Sequence, residues 1–382
     1  MRKIVDTINW VYDKLMSLGV SIIVEKRALS KIISKSGKNK HCKGITQWKG
    51  KWKVLGHVNK DYYRIFSQYI GEDVNIVPDD ICHNVIEPIL NPKRFISAYE
   101  DKCLFDKMLW SSFNKNVTPT TYIRNIGGAY FDNNYHHITQ VDSCINTIPV
   151  SVNRLIIKKS IDSSSGRGII FCNRDKDGIF RDSSNNAELS EQYLTQIFIK
   201  DFVIQEVMSQ SSFMSQFCKT SVNTIRIAVY RSVNTNKPIV INAIMRIGKD
   251  GSLVDNAHAG GMFVGINQDG ELGKYCCNQY GIRTAIFNDI NFSSEVFTIP
   301  NYEHIKAFAE KVASALPHQR LLALDIMLDA NNSPVLLEYN IRGFSVWLFQ
   351  FTTRAGFGEY TDEIIEYCTQ HRKEATRVSV LF

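Results

Sequence analysis

The sequence lacks several features that mark common protein classes. No run approaches the roughly 18 apolar residues that a membrane-crossing helix needs. The opening MRKIVDTINWVYDKL breaks its apolar pattern with Asp6, Asn9 and Asp13, and it does not read as a secretory signal. The nine cysteines are an odd number, scattered without a CxxC pair, and Cys276 and Cys277 are adjacent. That usage argues against a disulfide framework and a zinc site, and it predicts a cytoplasmic protein. There is no GxSxG elbow and no Ser-His-Asp signature, and Cys218 has no evident partner histidine. Covalent catalysis by a side chain is therefore not expected. A Walker-type loop and a glycine-rich strand–turn–helix are both missing, which argues against P-loop and dinucleotide folds. Internal repeats and low-complexity tracts are absent as well.

What is present suits a globular chain of 382 residues, long enough for two or three compact units. The net charge of +7 is uneven: Lys26 to Lys60 holds eleven lysines and arginines and no acid. Such a segment can dock on a membrane surface or an anionic glycan, although a solvated helical face is the simpler reading. No nucleic-acid motif accompanies it, so no nucleic-acid partner is expected.

Ile4, Ile8, Val11, Leu15 and Leu18 recur at helical spacing and stop at Gly19. Further helices are predicted over Ala28–Ser34, Asp61–Ile70, Asp101–Trp110, Glu303–Leu316 and Thr361–His371, with a polar link near Ser36–Gly50. From Leu155 the pattern turns to strands: residues 155–158, 169–172, 202–207, 224–231, 239–247 and 260–266. The fold class is α+β, a mixed body behind a mainly helical front end. Three regions are expected: a helical, basic 1–98, then 99–207, then 208–382.

The most informative stretch is Leu321–Arg342, two strands joined by Ala330-Asn331-Asn332-Ser333. If that four-residue loop closes an antiparallel hairpin, Asp329 faces Pro334 and Asp325 faces Glu338, with Asn340 on the same face. Like charges placed opposite one another repel. A divalent cation bound through hard oxygen ligands relieves the repulsion, so Asp325, Glu338 and Asn340 are the candidate metal ligands. Acids turned to solvent, or paired with Arg342, are the plainer alternative.

Other residues point to anions. Lys158 closes a buried strand and needs an anion or a route to solvent. The turn Ser163-Ser164-Ser165-Gly166-Arg167-Gly168 follows it, and its glycines free backbone N–H groups to approach phosphates. Arg226 and Arg246 lie inside apolar strands and require carboxylate or phosphate partners. Asp255 to Gly261, DNAHAGG, suits a ligand-facing loop, with His258 more often a structural donor than a base.

In this order the residues resemble the ATP-grasp superfamily, over roughly Asp101 to Phe344. IIKKSIDSSSGRGI is similar to its lysine strand and flexible phosphate loop, and FVIQEV to its hinge strand. IRIAVYR, AIMRIG and DNAHAGG resemble the arginine and N-x-H-x-G-G order of the glutamate-ligase type. LALDIMLD…VLLEYN resembles the metal-binding ending, and SVNTIRI with the helical front end resembles the sugar-transfer-associated branch.

The resemblance implies two α+β subdomains clasping ATP with Mg²⁺ or Mn²⁺, and an amide-forming ligase working through an acyl phosphate. It assigns nucleotide contacts to Lys102, Lys158, Ser165, Gly166, Gly168, Gln205, Glu206 and Val207. Catalytic charge stabilisation falls to Arg226, Arg246 and Arg342, and substrate contacts to Asn256, His258, Gly260 and Gly261. The implied substrates are a small carboxylate and an amine, a sugar or amino acid of surface polysaccharide synthesis. The chain departs from the family pattern after the hinge, where MSQSSFMSQF has no ribose-binding acid and only Gln210 as a stand-in. A kinase on the same fold, and a non-catalytic module docking through Lys26–Lys60, are the competing readings.

Overall fold

A computed structural model of the chain describes residues 21–161 and 168–375. The predicted helix through Ile4 to Leu18, and Ser163 to Arg167 of the glycine-bearing turn, lie outside the described residues.

The front end is helical, with helices Ser21–Ser36, Ile45–Trp52 and Lys60–Ile70. The last begins where the Asn59 side chain accepts from the Asp61 N–H and ends at Gly71, whose φ of 80° suits glycine. One expectation fails here. The Ser36–Gly50 stretch is not simply a link, because a helix starts at Ile45. Trp48 and Trp52, four residues apart, anchor it: both are fully buried, and their indole N–H groups donate to the carbonyls of Ile76 (2.7 Å) and Val74 (3.0 Å).

Two antiparallel sheets follow. The first runs β3-β2-β1-β7-β4-β5-β6, built from β1 Thr121–Ile126, β2 Ala129–Phe131, β3 His137–Ile138, β4 Arg154–Lys159, β5 Ile170–Arg174, β6 Phe180–Asp182 and β7 Phe202–Glu206. The strands before Leu155 carried no clear sequence pattern and were not predicted. The second runs β12-β11-β10-β9-β8-β15-β16. Its strands are β8 Thr224–Arg231, β9 Pro238–Ile247, β10 Met262–Ile266, β11 Leu272–Cys277, β12 Arg283–Thr284, β15 Leu321–Leu328 and β16 Pro334–Asn340. A ribbon of β13 Ile286–Phe287 and β14 Ile290–Asn291 lies beside it.

Both faces of the second sheet are covered, which explains the unbroken apolar runs of β8 and β15. Ile225, Ile227, Val229, Leu322 and Leu324 pack with the helix Tyr302–Ser314. Ala228, Tyr230, Ile244, Phe263 and Leu321 pack on the other face in one core with the N-terminal helices and the C-terminal helix Thr361–Gln370. Because side chains alternate, Arg226, Arg246 and Asp325 belong to this second face, at its far end. The face is a core at one end and a charged cavity wall at the other. All nine cysteines are free, and among the described residues no helix is long and apolar enough to cross a membrane.

Candidate functional site

The β15–β16 register places Asp325 opposite Glu338, as the sequence predicted, but by a different route. Pro334 pairs with Leu328 rather than with Asp329. Asp329 instead closes the turn: its N–H donates to the Ser333 carbonyl (2.9 Å), and its carboxylate accepts from the N–H groups of Asn331 and Ser333 (2.9 Å each). A bulge between Asp325 and Ile326 then absorbs one residue of β16, Leu337, and restores the expected pairing. Asn340 donates from Nδ2 to Asp325 Oδ2 (3.2 Å), so amide and carboxylates do share one face.

Both acids are engaged by cations. Asp325 lies 3.4 Å from Arg226 Nη1 and 3.3 Å from Arg246 Nη1, and Glu338 lies 2.7 Å from Lys102 Nζ. Arg246 also reaches Asp255 (2.8 Å) and the side-chain oxygen of Asn256. Burial works against the Arg246 charge, but Asp255 and Asp325 outweigh it and hold the guanidinium protonated. Burial pushes the Asp255 carboxyl up in spite of Arg246, and the Thr224 hydroxyl donates to it. Lys158 has no carboxylate within ion-pair distance among the described residues. Burial, with repulsion from Lys102, pulls its ammonium down to about 8.

These groups line one cavity of about 700 Å³. Ile156 and Phe171 stand on the first sheet, and Met327 and Leu337 on the second, forming an apolar slot beside Gln205, Glu206, Val207 and Met208. Gln205 is buried; its Nε2 donates to Thr121 Oγ1 (2.8 Å), while Oε1 has no hydrogen-bond partner among the described residues. Glu206 accepts from the Thr120 N–H (3.2 Å), and the Val207 N–H donates to the Arg154 carbonyl (3.1 Å). Asn256, His258, Arg342, Ser345 and Trp347 also line the cavity.

Some predicted residues stand elsewhere. Arg342 is at the cavity rim and engages Glu100 rather than the metal-type acids. Gly260 and Gly261 are not on the wall. Gly261 lets the loop press on β9, since a Cβ there would sit 2.9 Å from the Ile247 carbonyl oxygen. Gly168 is exposed with φ 71°, and Ser165 and Gly166 lie outside the described residues. Gln210 is no ribose ligand in this arrangement: Nε2 donates to the carbonyls of Cys218 and Ser221 (2.8 Å each), and Oε1 accepts from the Asn223 N–H (2.9 Å).

Comparison with known families decides the class. The family model described as sugar-transfer associated ATP-grasp matches residues 83–365. The chain belongs to this ATP-grasp family. Similar solved structures include the ATP-grasp ligase PsnB complexed with minimal precursor, Mg and ADP. That match is 11% identical with a TM-score of 0.41, covering 73% of this chain and 62% of that one. The D-cycloserine synthetase DcsG is 9% identical with a TM-score of 0.41, covering 74% of this chain and 73% of that one. The N5-carboxyaminoimidazole synthetase of Staphylococcus aureus complexed with ADP is 11% identical with a TM-score of 0.37, covering 65% and 46%. No curated protein matches the sequence.

The cavity of this ATP-grasp chain fits a magnesium nucleotide on its own chemistry. Two carboxylates and an amide oxygen are a hard donor set, and Mg²⁺ commonly takes one or two carboxylates and completes its shell with water and phosphate. No cluster of three His, Cys, Asp or Glu that could form an all-protein cage occurs among the described residues. Arg226 Nε, on the opposite sheet of the same cavity from Gln205 Oε1, is a second buried atom without a hydrogen-bond partner among the described residues. Sequence reasoning missed Met208, Thr224, Met327 and Trp347 as lining residues. Met208 directly follows the hinge residues and could have been included; the others come from separate elements.

Proposed function

We propose that this chain is an ATP- and magnesium-dependent ligase that joins a carboxylate to an amine. The observation that carries the reading is the convergence of Lys102, Lys158, Arg226 and Arg246 on the Asp325–Glu338–Asn340 oxygen set in one cavity. Magnesium ATP would supply an activated phosphoryl group for the carboxylate. The chain's residues supply position and charge, which is most of what phosphoryl transfer needs. The apolar slot takes the base, with the Gln205 Oε1 acceptor available for an amino group. Asp325, Glu338 and Asn340 hold the metal; Lys102 and Lys158 face phosphate oxygens; Arg226 and Arg246 steady the transferred group and the carboxylate.

The Trp347 end of the cavity is the place for the acceptors. A uronic acid, amino sugar or amino acid of polysaccharide synthesis would fit the family description. The basic segment is partly consumed inside the fold, where Lys38 pairs with Asp61 and Lys51 with Asp362. Membrane or glycan docking there is accordingly the weaker role.

The test is a screen of carboxylate and amine pairs with Mg-ATP, read by ADP release and product mass. An amide product with free phosphate supports the ligase. A phosphorylated acceptor would make the protein a kinase, and no binding of Mg-AMPPNP to the wild-type chain would remove the nucleotide reading.

A further inference from the structure

The segment from Cys82 to Asn91 belongs to neither sheet, yet its side chains grip the hairpin end that carries Asn340 and Arg342. Asn91 is 1% exposed, and its amide is bonded on every side. Nδ2 donates to the carbonyls of Leu321 (2.6 Å) and Ile341 (2.8 Å), and Oδ1 accepts from the N–H groups of Arg320 (2.9 Å) and Leu321 (3.0 Å). That uses the full capacity of a primary amide. It ties the first residue of β15 to the residue after β16.

Glu87, in the short helix Glu87–Leu90, is 6% exposed and acts one step further along. Its two carboxylate oxygens accept from consecutive N–H groups, Gly343 at 3.0 Å and Phe344 at 2.8 Å. Burying a carboxylate is costly unless charge-assisted bonds hold it, so this contact fixes the loop firmly. The Gly343 carbonyl in turn accepts from Arg226 Nη2 at 3.4 Å, and Arg226 Nη1 faces Asp325. A π-helical turn, Cys82–Ile86, leads into Glu87; such turns are frequent at functional sites.

We propose that Glu87 is a positioning residue for the magnesium-nucleotide site. By clamping the Gly343 and Phe344 amides it fixes the Gly343 carbonyl, and that carbonyl sets the Arg226 guanidinium against Asp325. The N-terminal helical region is thereby part of the working site and not only a cover for the sheet. The inference rests on the nucleotide reading above. A contact that merely docked the helices would change stability and leave the site's metal dependence alone.

The experiment uses the full chain with AMPPNP and Mg²⁺, titrated calorimetrically. Outer partners that orient ligands typically cost about 10–100-fold in metal affinity or activity when lost. Glu87→Gln should therefore weaken Mg²⁺-dependent AMPPNP binding by about tenfold or more. Its effect should be non-additive with Arg226→Lys, because the two act through one carbonyl. Affinity within twofold of wild type, or additive effects, would overturn the proposal. Wild-type protein that bound no AMPPNP would instead sink the nucleotide reading itself. Should Glu87→Gln fail to fold, amide exchange on the nucleotide-free wild type decides. Slow exchange at Gly343 and Phe344 supports the clamp, and exchange at the rate of exposed loops refutes it.

Discussion

Asp325 and Glu338 stand opposite one another across β15 and β16, yet different cations neutralise them: two guanidiniums for Asp325, the Lys102 ammonium for Glu338. The repulsion expected of facing acids is thus balanced before any metal arrives. The two acids also differ in burial, with side chains 9% and 33% exposed.

That difference separates two substitutions that look alike in sequence. Both Asp325→Asn and Glu338→Gln should cut Mg²⁺-dependent AMPPNP binding by about tenfold or more. Asp325→Asn should also cost about 3 kcal/mol of stability, because it leaves the buried Arg226 guanidinium without a carboxylate, while Arg246 keeps Asp255. Glu338→Gln should cost less, about 1–2 kcal/mol, because its own carboxylate is one-third exposed although its Lys102 partner is buried. Urea unfolding of both variants checks the split.

Lys158 gives a pH signature. Its folded value of about 8 lies below the ordinary 10.5, so the folded protein resists the proton. The stability penalty is fully present below about pH 8 and is relieved as pH rises from there toward 10.5. Phosphate binding favours the charged form, so nucleotide affinity should fall above pH 8, and binding near pH 8 should take up a proton. Calorimetry in buffers of different ionisation enthalpy measures that uptake. It should vanish in Lys158→Met; a profile unchanged in that variant would refute the role.

The lone Gln205 oxygen bears on base choice. Gln205→Leu should weaken AMPPNP binding about five- to tenfold, the worth of one hydrogen bond, while GMPPNP binding changes little. Competition binding with the two analogues reads the ratio; an unchanged ratio removes the assignment.

Gly261 predicts a packing cost without a ligand. An added Cβ would meet the carbonyl oxygens of Asp255 at 2.6 Å and Ile247 at 2.9 Å, neither of which is a flexible side-chain tip. Gly261→Ala should lower stability by about 1–3 kcal/mol, visible in the urea midpoint.

The sequence by itself determined the elements whose residues speak locally. The strand runs of β8, β9 and β15 come from β-branched and apolar residues, and the turn after β15 from Ala330 to Ser333, although the structure draws Asp329 into it as well. The acids, lysine and arginines were legible because a charge inside an apolar strand needs an explanation wherever the strand goes. Tertiary structure alone decided which charges meet. Asp255 finds Arg246 through a loop, Arg342 leaves the centre for Glu100, and Glu87 reaches a loop far along the chain. The register is the plainest case: a bulge at Leu337 cancels the misplaced turn pairing. Local preference fixes a strand and its facing, but pairing energy is set by the neighbours that strand acquires, and those neighbours come from distant parts of the chain.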